Sequence, residues 1–173
     1  MSAIIKKLSV KASTNLMKNE VIIIIKEPRA MIRYVKGNIF NSQMETIVNP
    51  INCVGVMGKG LALEYKKRYP TLFLSYKSAC ARKLIIPGRV YVSNQQDKKV
   101  MLFPTKDHWK DPSKYEYITS GLIYFSKNYK ALNIQSCAFP RIGCGLGGLD
   151  WEKVKVLIEK HLGDLDIEIE IYI

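Results

Sequence analysis

Three segments of this 173-residue chain hold the residue types needed for chemistry on an anionic ligand. One is Asn49-Pro-Ile-Asn-Cys-Val-Gly-Val-Met-Gly-Lys-Gly60 and another is Pro140-Arg-Ile-Gly-Cys-Gly-Leu-Gly-Gly148. Between them in sequence lies Leu102-Phe-Pro-Thr-Lys-Asp-His-Trp109. Glycine lets a backbone approach a ligand closely and take positive φ, and the amides at a helix start offer donors and a favourable dipole to phosphate. One glycine turn at a strand-to-helix junction is as often structural as functional. Two of them on one small sheet point to a diphosphate held between. Neither has Walker A spacing, because Lys59 is followed by Gly60 where Ser or Thr would hold magnesium, and the GxGxxG of dinucleotide folds does not open the chain.

The middle segment adds a cation. A strand that stops at Pro104 and continues into Thr105-Lys106 sets a lysine at the sheet edge where the glycine loops gather, and a lysine that has lost its proton is a nucleophile or base. On position alone, a solvated lysine after a strand is the plainer reading. His108 could exchange protons, but beside Trp109 and without a partnering Asp motif it reads as a hydrogen-bonding structural residue. His161 falls on an apolar helix face, at the core or its boundary. Cys144 has no neighbouring histidine to activate it and reads as a small packing residue.

These segments need elements to position them. Runs rich in Ile, Val, Tyr and Phe between turn formers predict strands at Val21 to Lys26, Ile32 to Lys36, Thr46 to Asn49, Arg89 to Ser93, Lys99 to Phe103, Ile134 to Phe139 and Ile167 to Ile173. Helices are expected over Lys59 to Tyr69, stopped by Pro70, and over Thr71 to Lys83, with Thr71 as N-cap. Two more are expected over Ser113 to Tyr129 and, capped by Asp150, over Trp151 to Leu162. Strands separated by helices call for an α/β fold with a mostly parallel sheet, whose ligands bind at the carboxyl ends of the strands.

Composition narrows the partners. Lys and Arg number 27 against 15 Asp and Glu, a formal charge of +12, which favours an anionic partner. Residues 31 to 110 hold fourteen basic and four acidic side chains, whereas residues 111 to 173 hold seven and nine, so the excess lies on part of the surface. Cys53, Cys80, Cys137 and Cys144 form no CxxC pair and have no histidine at ligand spacing; no metal is expected, and a reduced, cytoplasmic setting fits. The longest strongly apolar run, Val21 to Ile25, is too short to span a bilayer. Residues 1 to 19 have four lysines and no acid, faintly like a transit peptide, but lack Arg. Residues 1 to 30 are read as an extension, with residues 21 to 26 as a candidate extra edge strand.

Taken together, these residues resemble the macrodomain family. Val35-Lys-Gly-Asn-Ile39 is similar to its opening strand and adenosine-side turn, Ile47-Val-Asn-Pro-Ile-Asn52 followed by Gly55-Val-Met-Gly-Lys-Gly60 to its first ligand loop, and Pro140 to Gly148 to its phosphate-gripping loop. The likeness covers about residues 31 to 173. Phe-Pro-Thr-Lys followed by His-Trp, with Gly-Cys-Gly-Leu-Gly-Gly-Leu-Asp-Trp, is most similar to DarG-type macrodomains. Those domains remove ADP-ribose from thymidine bases in DNA and act as antitoxins to a DNA-modifying ADP-ribosyltransferase.

The resemblance implies a three-layer α/β/α sandwich with a mixed, mostly parallel central sheet, and an ADP-ribosyl glycohydrolase acting on ADP-ribosylated DNA. It implies no cofactor and no membrane, a monomer, and a cognate transferase toxin as partner. It assigns catalysis to Lys106 and Asn52. Contacts to ADP-ribose are implied for Gly37, Asn38 and Ile39; for Asn49 and Val54, Gly55, Val56, Met57, Gly58, Lys59 and Gly60; for Pro104 and Thr105; and for Pro140, Ile142, Gly143, Cys144, Gly145, Leu146 and Gly147. In the related eukaryotic terminal ADP-ribose glycohydrolase the lysine works with an aspartate in the second loop. Here that position is Gly147, which leaves the proton to substrate, water or His108. Two alternatives stand beside this reading: a reader that binds ADP-ribose without turnover, and a phosphatase for ADP-ribose 1″-phosphate.

Overall fold

Strands and helices alternate along residues 31–173, the part of the chain that the computed structural model describes. In order they are β1 (Met31–Val35), a 3-10 turn (Ile39–Asn41), β2 (Thr46–Ile51), α1 (Gly60–Arg68), α2 (Pro70–Ala81), β3 (Tyr91–Asn94), β4 (Lys99–Pro104), α3 (Tyr115–Asn128), β5 (Ser136–Pro140), α4 (Trp151–Leu162) and β6 (Glu168–Tyr172). The sheet runs β1-β6-β5-β2-β4-β3. Every pairing is parallel except β3 with β4, which makes the sheet mixed.

The central strands are apolar on both faces, as strands covered by helices on each side must be. Side chains alternate across the sheet. Ile47, Ile51, Val100 and Leu102 pack with Tyr65, Leu72 and Tyr76 of α1 and α2. Val48, Met101, Phe103 and Phe139 pack on the other side with Ile118, Leu122 and Phe125 of α3 and with Val154, Ile158 and Leu162 of α4. Two helices above and two below complete the three-layer α/β/α sandwich expected from the resemblance.

Element boundaries depart from expectation where local chemistry overrules periodicity. Thr71 is not the cap of α2: Pro70 takes the first helical position, where its fixed φ and missing N–H cost nothing, and Tyr69 precedes it. α3 starts at Tyr115 after Lys114, so Ser113 is outside the helix, and its N–H donates instead to the Gly147 carbonyl at 2.9 Å. Asp150 does cap α4, its carboxylate accepting from the Lys153 amide at 3.0 Å. The expected strand at residues 21 to 26, with the rest of the extension, lies outside the described residues.

One glycine sets the spacing between α3 and the sheet. A Cβ at Gly121 would stand 2.4 Å from the ring tip of the fully buried Phe103. Gly121→Ala is therefore expected to destabilise the fold by about 1–3 kcal/mol through overpacking, read as a lower midpoint in urea with unchanged far-ultraviolet circular dichroism.

Candidate active site

Parallel pairing delivers the loops after β1, β2, β4 and β5 to one edge of the sheet, and β2 lies between β4 and β5. Ile51 sits opposite Pro104 in the β2–β4 ladder. The Thr105 N–H donates to the Ile51 carbonyl at 2.9 Å and the Cys53 N–H to the Asp107 carbonyl at 2.8 Å, so the two chains leave the sheet stitched together. Lys106 stands between these bonds.

The first loop is built around Asn52, which is nearly buried. Its Oδ1 accepts from the Val54 and Val56 amides at 3.1 and 3.2 Å, and its Nδ2 donates to the Val56 carbonyl at 2.6 Å. The Tyr76 hydroxyl donates from α2 to Asn52, 2.7 Å from its carbonyl oxygen and 3.0 Å from Oδ1. Burial holds the Tyr76 phenol far above its usual pKa range, so it remains a donor. One N–H of Asn52 Nδ2 is spent on the loop, and the second remains for a ligand. Gly55, at φ +80°, rests on α2: a Cβ there would be 3.4 Å from the Lys77 Cα.

The second loop turns at Gly143 (φ +74°) and Gly148 (φ +78°), closed by Leu149 N–H to the Gly143 carbonyl at 3.0 Å and Gly148 N–H to the Gly145 carbonyl at 3.1 Å. Among the described residues, the amides of Gly145, Leu146 and Gly147 have no acceptor, the arrangement of an anion-gripping turn. Opposite them α1 begins at Gly60 with no side-chain cap and no acid in its first turn. The loops touch: a Cβ on Gly60 would be 3.3 Å from Leu146 Cδ1. The Lys106 ammonium donates to the Leu146 carbonyl at 2.9 Å, bridging the β4 end to the second loop.

The expected contact residues therefore sort by depth. Val54, Val56, Gly58, Lys59, Gly60, Gly145 and Leu146 are exposed around the opening, with Lys106 half-buried among them. Asn49, Met57, Pro104, Thr105, Ile142, Gly143 and Gly147 are buried beneath it. Asn49 lies inside β2 with its Nδ2 against the Met57 sulfur at 3.9 Å, so it supports the loop from below. Gly37, Asn38 and Ile39 follow β1, which β6 separates from β5; there Asn38 Oδ1 accepts from the Phe40 amide at 3.0 Å. Pro140 closes β5 at the base of the second loop.

Burial raises the Cys144 thiol to about 11, and its sulfur donates to the Ile142 carbonyl at 3.4 Å, in keeping with a packing role. His108 stacks on Trp109, and its Nδ1 accepts from the Lys110 amide at 3.3 Å, which makes it part of the turn's framework. Tyr76 and Ser113 were absent from the expected site. Tyr76 reads as one more apolar residue of a helix face and Ser113 as a helix start; their loop partners lie 24 and 34 positions away, beyond any local pattern.

Gly147 is filled in. A Cβ there would lie 2.2 Å from the Gly143 carbonyl oxygen and 2.3 Å from the buried Ser113 hydroxyl. An aspartate cannot enter without rebuilding the loop. Gly147→Asp is expected to lower the melting temperature, because the loop must be rebuilt to admit the side chain; unchanged stability in that variant would contradict this geometry.

The Macro domain family model matches residues 48–158. The chain is 44% identical over 147 residues to the DNA ADP-ribosyl glycohydrolase of Mycobacterium tuberculosis, covering 82% of this chain and 42% of that protein. It superposes on the macrodomain of Thermus aquaticus DarG with a TM-score of 0.79 at 38% identity, covering 83% of this chain and 99% of that one. On Thermosipho africanus DarTG in complex with ADP-ribose the TM-score is 0.77 at 37% identity, covering 81% of this chain and 41% of that one. The chain thus spans about two fifths of the length of the DNA ADP-ribosyl glycohydrolases it matches.

Proposed function

The chain belongs to the Macro domain family, and from that premise we propose that it is a DNA ADP-ribosyl glycohydrolase, removing ADP-ribose from a thymidine base. The observation that carries this reading is the Lys106 ammonium held 2.9 Å from the Leu146 carbonyl, between two glycine-rich loops suited to a diphosphate. A domain that only binds ADP-ribose has no need of a lysine in that position. The names of relatives at 39 and 44% identity point the same way.

In the proposed reaction the diphosphate rests on the amides of Gly145, Leu146 and Gly147 and faces the open start of α1. Asn52 orients the ribose hydroxyls through its second Nδ2 N–H. The Lys106 amine, freed of its proton, attacks the anomeric carbon of the ADP-ribose or assists attack there. The electron pair of the glycosidic bond passes to the thymine nitrogen, which takes a proton from water, and the base leaves intact; where Lys106 has attacked, water then breaks its bond to the anomeric carbon, returning the amine and releasing ADP-ribose. A DNA-modifying ADP-ribosyltransferase would supply this substrate. We place the protein in the cytoplasm as a monomer, where its four unpaired cysteines stay reduced.

Lys106→Ala is expected to lower turnover of an ADP-ribosylated thymidine oligonucleotide by about 100-fold or more, with the melting temperature retained. Full activity in a folded Lys106→Ala protein would sink the mechanism. Incubation with that oligonucleotide, an ADP-ribosylated carboxylate side chain and ADP-ribose 1″-phosphate distinguishes the substrate classes, and consumption of the first is expected. Its turnover should fall as salt rises, because phosphate contacts release counterions; indifference to salt would remove the DNA backbone from the reading.

A further inference from the structure

Three residues beyond Lys106 the chain displays a tryptophan that nothing in the proposed chemistry uses. Trp109 is 47% exposed, although it lies on a turn tied down by three hydrogen bonds. These run from the Cys53 amide to the Asp107 carbonyl at 2.8 Å, from the Asp111 amide to the His108 carbonyl at 3.1 Å, and from the Lys110 amide to His108 Nδ1 at 3.3 Å. The His108 ring stacks on the indole with centroids 5.7 Å apart and planes 30° apart. The Lys110 ammonium stands 5.3 Å from the centroid of the indole ring. A large aromatic ring is thus fixed in direction and presented to solvent, flanked by a cation.

We infer that Trp109 is a stacking platform for an unpaired nucleobase of the DNA strand next to the modified thymidine. This rests on the function proposed above. Three peptide steps limit the Cα separation of Trp109 from Lys106 to about 11 Å, so a base on the indole belongs to a nucleotide beside the reacting one. Exposed apolar side chains accompany both loops: Leu146, whose carbonyl accepts from Lys106, is 70% exposed, and Val54 and Val56 of the Asn52 loop are 44 and 36% exposed.

Charge favours a nucleic acid over an apolar protein partner. Residues 59 to 83 hold seven Lys and Arg against one acid, Glu64, and Lys77 of that segment lies directly under the first loop at Gly55. An exposed cation–π contact is weak, so Lys110 can yield the ring to a base and turn to the adjoining phosphate. Aromatic stacking accepts any base and requires that base to be unpaired. The platform therefore selects single-stranded DNA without reading its sequence.

Stacking acts on the bound substrate and transition state alike, so its loss raises KM and leaves kcat in place. The test compares an ADP-ribosylated thymidine within a single-stranded oligonucleotide with the ADP-ribosylated mononucleoside, using the native chain, Trp109→Ala and Trp109→Phe. Trp109→Ala is expected to raise KM for the oligonucleotide about 10-fold, in line with the loss of one stacked base, to leave the mononucleoside unaffected, and to be rescued largely by Trp109→Phe. An unchanged preference for the oligonucleotide in Trp109→Ala overturns the inference, and so does an equal loss on both substrates, which would put the modified base itself on the ring. Should the native chain turn over neither substrate, the glycohydrolase reading fails on its own. The dissociation constants of the same two ligands then decide the platform by the same comparison.

Discussion

The parallel ladder between β2 and β4 is the constraint on which the rest hangs. With Ile51 opposite Pro104, both strands end at the same height, and the next hydrogen bonds tie Thr105 to Ile51 and Asp107 to Cys53. Asn52 and Lys106 therefore emerge side by side although 54 positions separate them in the chain. A one-residue slip in a sheet turns every side chain to the opposite face. Here it would send Asn49 to the wrong face of the sheet and break the cross-loop bonds that flank Lys106. The two helix layers resist such a slip, because each face of β2 and β4 is already matched to its own set of buried side chains.

Above this ladder the loops are held by side chains whose roles look merely structural. Asn52 uses most of its amide on its own loop, and Tyr76 fixes Asn52 from a helix. Ser113 holds the Gly147 carbonyl through its own amide. The result is a pair of adjoining loops whose free donors include the backbone amides of Gly145, Leu146 and Gly147. Amides held in a fixed turn need little reorganisation to accept an anion. Among the described residues, Lys106 is the charged group that bridges the two sides, through its bond to the Leu146 carbonyl.

Much of this was legible in the sequence, for identifiable reasons. Lys106 is marked by a proline that ends a strand just before it, and the glycine loops are marked by residues that few other backbones require. The parallel sheet follows from strands separated by helices, and Asp150 is a cap that needs only its neighbours to be recognised. What escaped are the contacts made across the fold. Tyr76 meets Asn52, and Ser113 meets Gly147, only after β2, α2, α3 and the second loop have assembled. The start of α3 has the same origin, because Ser113 is recruited by a loop distant in sequence, whereas the start of α2 is set locally by Pro70, which takes the position that suits its ring.

The closed space at Gly147 bears on how this site could have diverged. In most active sites, gaining or losing an acid is a matter of one codon, because a side chain can be added where solvent or a cavity stood. At Gly147 the carbonyl of Gly143 and the hydroxyl of Ser113 already occupy the volume where a side chain would begin. An aspartate at this position of the chain would thus require a different backbone path, with Gly143, Ser113 and the residues before α3 moving together.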